Sequence, residues 1–230
     1  YSVSTSSVTA RHFGANAVPS VNTEDGTPIN TFAQGLNSLR VSDLRYPAGQ
    51  VEDLFENGML DASGTLIAPV VNFLDWARAD NRAVSFVLPV EAGFPGAAEM
   101  SEFVAQLMEH YGDVVRSFEI GNEYWGSGRM NAVEYGRVAA EMTRIIDAEL
   151  QALAPLYPDA ADIDILVQMG TNFGDSSLDE AYEGMSNPEI IADRGPGPST
   201  QAIREEEHLG LIRAFESLAS EHCRGIGLRQ

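Results

Sequence analysis

Short apolar runs alternate with apolar stripes of helical period along this chain of 230 residues, and no other feature constrains its fold as much. Runs that read as strands occupy residues 8–18 (with an exit loop), 39–46, 83–90, 114–121 and 163–169. Ile226 and Leu228 mark the start of a further one. Between them, helical spacing appears at 29–36, from Pro69 through Trp76, at 97–111, and from Asn131 to the prolines at 155 and 158. Two more helical stretches, 177–185 and 202–219, flank the breaker-rich loop 195–199. Strands and helices that alternate at intervals of roughly 30 to 45 residues imply βαβ units and a parallel sheet.

The pattern predicts one α/β domain over residues 1–230, and two architectures satisfy it. One is a (β/α)8 barrel, incomplete here at about five to six βα units, since such barrels typically need roughly 250 residues. The other is an open, doubly wound parallel sheet. Periodicity does not separate them. The run 83–90 is nearly continuous in apolar residues, which predicts a strand covered on both faces.

Charge narrows the partners. Thirty-four acidic side chains stand against 14 basic ones, all arginine, for a net charge of -20. A polyanionic surface disfavours nucleic acid and anionic membranes. No apolar stretch approaches the ~18 residues that span a bilayer. The single cysteine, Cys223, excludes an intramolecular disulfide. His12, His110, His208 and His222 lack ligand spacing, so no metal and no cofactor is expected. The acidic, lysine-free composition suits a secreted protein, although it fits a cytoplasmic one as well.

In either architecture, functional groups gather where strands end. Those ends supply His12, Asn16, Arg45, Glu91, Asn122 with Glu123, and Gln168 with Asn172. A polar residue at a loop start often serves only to cap that loop. As a set, these residues predict a polar cleft. Trp125 and Tyr124 offer flat apolar surfaces on which a sugar ring would pack, whereas Trp76 falls on a helical core stripe.

The stretch FEIGNEYWG, residues 118–126, ends a strand in Asn-Glu followed by aromatics and glycine. It resembles the fourth strand of the clan A glycoside hydrolases, which are retaining glycosidases on a (β/α)8 barrel. LRYPAGQ, residues 44–50, resembles the second-strand motif of their arabinofuranosidase, xylosidase and glucuronidase branches, with Ala48 in place of the first glycine. HFGANAV, from residue 12, is compatible with their first strand.

This resemblance implies a domain that hydrolyses O-glycosidic bonds of an oligo- or polysaccharide. Glu123 would be the general acid/base and Asn122 would bind the sugar 2-hydroxyl. Arg45 would keep the nucleophile ionised, with an internal ion pair as the competing role. Leaving oxygens need a proton, because an alkoxide departs poorly, and a carboxyl among apolar rings would hold one near neutrality. Glu119, four residues before Glu123, reads as the partner of Arg45 or Arg116 in a network.

A retaining mechanism also needs a second carboxylate, which in the resembled clan ends the seventh strand. No acid after Glu123 ends an apolar run in that way, and Asp175 follows the wrong strand. The expectations are therefore a truncated barrel lacking its nucleophile, with self-association or a completing partner at the open edge. The competing reading is a carbohydrate-binding or scaffold domain without turnover.

Overall fold

The computed structural model describes residues 14–91, 96–124, 130, 132–168 and 226–229, the last four and 132–133 by their backbone. Its centre is a six-stranded parallel sheet of β1 (Gly14–Asn16), β4 (Asp43–Tyr46), β5 (Ala83–Leu88), β6 (Val115–Ile120), β7 (Asp164–Gln168) and β8 (Ile226–Arg229), paired in that order. A two-stranded antiparallel hairpin, β2 (Thr23–Glu24) and β3 (Thr27–Pro28), stands apart. Helices α1 (Pro19–Asn22), α2 (Asn30–Leu39), α3 (Val51–Leu54), α4 (Ala68–Ala79), α5 (Ala97–Tyr111) and α6 (Ala132–Leu153) lie in the connections.

The strand order decides between the two predicted architectures. Each main-sheet strand adds beside its predecessor with no reversal. A doubly wound sheet must reverse at a switch point, whereas a (β/α) barrel never does. The described sheet is therefore the singly wound arrangement of part of a (β/α) barrel.

The two sheet faces differ as that arrangement requires. Leu44, Tyr46, Val84, Phe86, Leu88, Phe118, Ile120, Ile165 and Val167 are all buried. They form one core with Phe73 and Leu74 of α4, Phe103 and Leu107 of α5, and Ile146 of α6. Tyr46 stacks on Phe73 at 3.8 Å between centroids, and Phe86 packs against Phe103 at 5.5 Å. On the opposite face a polar row runs in register, Asn16, Arg45, Ser85, Ser117 and Asp164.

This row corrects the expectation that residues 83–90 are sealed on both sides. Ser85 interrupts the run on the inner face and is only partly buried, although its neighbour Val87 is fully enclosed. The row also depends on a bulge. Pairing passes from Val84–Val115 to Ser85–Ser117, so Arg116 has no opposite number. An extra residue in one strand reverses the facing of everything after it. Ser117 and Glu119 consequently turn inward.

Sequence boundaries fit closely at α5 and to within a few residues at most other described elements. The hairpin and α3 were not expected. Asp25 and Gly26, both at positive φ, form the two-residue turn between β2 and β3, and Asp-Gly is a strong signal for such a turn. Gly26 also admits no side chain, because a Cβ there would overlap the Pro69 carbonyl at the start of α4. The expected helices at 177–185 and 202–219, the loop 195–199, and Cys223 lie outside the described residues.

Candidate active site

Parallel strands deliver their last residues to one rim, so the site is built from the ends of β4, β6 and β7. Arg45, on β4, reaches across β5 to Glu119 on β6. Its Nε donates to Glu119 Oε2 at 2.6 Å and its Nη2 to Oε1 at 2.8 Å. A two-point pair of this kind is charge-assisted and fixed in direction. Its side chains are 23% and 14% exposed, so solvent screens the pair only weakly. Of the two roles weighed for Arg45, the internal ion pair is the one the described residues form. Arg116, the other cation considered for Glu119, lies 3.7 Å from Asp43 instead.

Arg45 Nη2 also donates to Asn122 Oδ1 at 2.8 Å. The Asn122 carbonyl is thereby turned toward the guanidinium, and its amide nitrogen points the other way. Gln168 ends β7 and completes the group. Its Nε2 donates to Glu119 Oε1 at 2.9 Å, while its Oε1 accepts the backbone N–H of Glu123 at 2.8 Å. Four of the predicted or considered residues, Arg45, Glu119, Asn122 and Gln168, therefore form one connected network that ends on the backbone of the fifth, Glu123.

The turn carrying Glu123 is sharply bent. Gly121 has φ +74°, and a Cβ there would meet Val90 Cγ2 at 2.9 Å. Only glycine meets both demands. Glu123 itself adopts φ +47°, a left-handed conformation that costs a side-chain-bearing residue about 1–2 kcal/mol. Such outliers persist only where neighbours enforce them, and they cluster at functional sites. The Glu123 side chain is exposed.

Tyr124 requires a correction. Its ring is 2% exposed and stacks on Tyr135, so it belongs to the core and offers no platform to a sugar. The bent turn explains this, since two positive-φ residues within three positions send Tyr124 back under the sheet end. It follows that Tyr124 does not supply the apolar enclosure expected around Glu123. Asn16 does lie at the cleft, exposed beside Arg45 in the polar row. His12, Trp125 and Asn172 lie outside the described residues, as does Asp175.

Three contributors had no clear signal in the sequence. Glu52 of α3 accepts the N–H groups of Val90 and Glu91 at 2.7 and 3.0 Å, securing the exit of β5. Ser117 donates to Ser85 at 2.8 Å on the inner face. The Tyr135 hydroxyl donates to the Ile120 carbonyl at 2.6 Å and accepts the Gln168 N–H at 3.0 Å. Burial pushes the Tyr135 phenol far above its ordinary pKa, so it remains a neutral donor. Each of these side chains lies far in sequence from the group it serves.

Asn16, Asp43, Arg45, Ser85, Ser117 and Glu119 line an open groove of about 720 Å³. Among the described residues, no group of three or more His, Cys, Asp or Glu could hold a metal ion. No helix among them is long and apolar enough to cross a membrane. The groove's lining supplies hydrogen-bonding groups and two ion pairs, Arg45 with Glu119 and Arg116 with Asp43.

No family model and no curated protein matches the chain. It is similar to a beta-glucosidase from Thermotoga maritima in complex with cyclophellitol, at 14% identity and TM-score 0.38, over 86% of this chain and 52% of that one. The same enzyme in complex with deoxynojirimycin gives 14% and 0.37, over 76% and 50%. A family 1 b-glucosidase from Thermotoga maritima gives 13% and 0.35, over 85% and 51%. The chain thus spans about half the length of these solved structures.

Proposed function

We propose that this chain is a glycoside hydrolase-type domain that acts on O-glycosidic bonds of an oligo- or polysaccharide, with Glu123 as its general acid/base. One observation carries the reading. Glu123 is exposed at a strand end in a disfavoured backbone conformation, and two hydrogen bonds through the Gln168 amide join its backbone to Glu119, which lines the polar groove. Sugars present hydroxyls, and a groove lined by the Asn16 amide, the Ser85 and Ser117 hydroxyls and paired charges is matched to them. Asn122, its carbonyl turned to Arg45, offers an amide donor to a sugar oxygen. Asn16 adds a further polar contact at the rim. Glu123 would protonate the departing oxygen and, in a retaining mechanism, later take a proton from water.

A second reading follows from Glu119. Both its oxygens accept hydrogen bonds from Arg45 or Gln168, so the described structure commits this carboxylate to the protein's own network. This favours a domain that binds carbohydrate without cleaving it.

A panel of aryl glycosides, including arabinofuranosides, xylosides, glucosides and glucuronides, separates the readings. Hydrolysis that falls about 10²- to 10⁴-fold in Glu123→Gln supports the enzyme. Saturable binding of oligosaccharides with no turnover supports the second reading. A chain that neither binds nor cleaves any sugar overturns both.

A further inference from the structure

We propose that Gln168 is the positioning residue of this site, holding the Glu123 backbone in its left-handed conformation on instruction from Glu119. The inference rests on the reading of Glu123 as the acid. A carboxylate can only accept hydrogen bonds, so the Glu119 carboxylate that Arg45 holds selects the NH2 end of the Gln168 amide, at 2.9 Å. The carbonyl end is then obliged to face the opposite way, where it accepts the Glu123 N–H at 2.8 Å. The amide therefore has one sense, and the acid next to it imposes that sense. Arg45 fixes Glu119 in turn through two contacts of 2.6 and 2.8 Å.

Gln168 is itself held from behind. Its N–H donates to the Tyr135 hydroxyl at 3.0 Å, and the Tyr135 ring carries Tyr124, the residue after Glu123. The strained turn is thus gripped on both sides by partners of one residue, by the Gln168 side chain at Glu123 and by the Gln168 backbone through Tyr135 at Tyr124. A conformation with positive φ on a residue other than glycine needs such restraint. With both ends of its amide on protein partners, Gln168 is assigned to holding the acid rather than to the substrate contact its place at a strand end implied.

The test uses the full chain and two variants, Gln168→Met, which keeps side-chain length without the amide, and Glu123→Gln. By nuclear magnetic resonance, the Glu123 amide proton should exchange with solvent at least about 10-fold faster in Gln168→Met, while the β7 amides of Leu166 and Val167 keep their protection. Unchanged exchange at Glu123 overturns the proposal. In the unmutated protein, an Overhauser contact between the Glu123 amide proton and the Gln168 γ-protons is expected, and its absence overturns the proposal whether or not the variant folds.

Activity supplies a readout that loss of stability does not mimic. A displaced acid should slow aryl glycosides with poor leaving groups far more than dinitrophenyl glycosides, which need no proton. Gln168→Met should then add nothing to Glu123→Gln. Equal slowing of both substrate types, additive in the double variant, overturns the positioning role. Should the unmutated protein cleave no glycoside, the enzyme reading falls, and the exchange and Overhauser results still decide whether Gln168 holds Glu123.

Discussion

The ring of Tyr124 lies flat against that of Tyr135, with centroids 4.1 Å apart and planes 6° from parallel. This stack fixes which way the chain leaves β6, because it draws residue 124 inward and leaves its neighbour Glu123 facing solvent. Tyr135 also closes a hydrogen-bonded path from the Ile120 carbonyl to the Gln168 N–H. Tyr135→Phe keeps the stack and removes the hydroxyl, stranding both groups in a buried place. A loss of about 1–3 kcal/mol is expected, read as a lower urea midpoint with an unchanged slope.

Gly121 tests the turn from the other side. Gly121→Ala places a methyl against Val90 at a φ that alanine resists. The variant should lose more than about 1 kcal/mol in urea unfolding, and glycoside turnover should fall with it. A variant as stable as the parent would contradict the close approach to Val90.

Glu123 should show the opposite trade. Replacement by glycine removes the left-handed penalty of about 1–2 kcal/mol and adds a glycine entropy cost of about 0.5–1 kcal/mol. Glu123→Gly is therefore expected to be at least as stable as the parent, by up to about 1.5 kcal/mol, while losing turnover. Thermal unfolding beside an aryl glycoside assay reads both. A clear loss of stability would show that the Glu123 side chain serves the fold.

Arg45 and Glu119 form a mutual pair, so their truncations should not add. Arg45→Met and Glu119→Gln are each expected to cost about 2–4 kcal/mol, because each leaves a poorly solvated charge without its partner. The double variant should recover about 1–3 kcal/mol relative to the sum, measured as a double-mutant cycle. Additive losses would place the energy of these residues elsewhere.

At alkaline pH, Tyr111 should limit stability. Burial and a 2.9 Å hydrogen bond to Asp75 push its phenol up to about 12. The folded state therefore holds this proton more tightly than the unfolded chain, whose phenols titrate near 10. The associated stability is fully present below about pH 10 and is lost as pH rises toward 12. Tyr111→Phe should be less stable than the parent at neutral pH and show a shallower decline over that interval. Buried Tyr46 and Tyr135 are raised further and leave a residual slope in the variant. An unchanged alkaline slope in Tyr111→Phe would exclude Tyr111 as its source.

Much of the sheet was legible because burial leaves a period in the sequence. Val84, Phe86 and Leu88 alternate toward the helices, and α5 shows its core face at Met100, Phe103, Val104 and Leu107. Strand ends were legible for the same reason, which brought Arg45, Asn122, Glu123 and Gln168 forward as a set. Tyr124 was misread because an aromatic beside a polar motif looks the same whether it faces a cleft or the core. Its direction depends on the positive φ of Gly121 and Glu123. The hairpin at Asp25–Gly26 carried a usable signal, but its strands are only two residues long and show no apolar alternation.

Sequence order and apolar spacing by themselves determined a parallel α/β sheet with a polar rim and a glutamate at a strand end. Such features are local, being written in residues a few positions apart. Only tertiary structure decided that the sheet is wound in one direction, because strand neighbours are chosen by long-range packing. The bulge at Arg116 likewise decided that Ser117 and Glu119 face inward, and it appears only when β6 is laid against β5. The same holds for the path from Arg45 through Glu119 and Gln168 to Glu123. Its members are separated by 74, 49 and 45 positions in the chain, and hydrogen bonds between them exist only once the four strands β4 to β7 stand side by side.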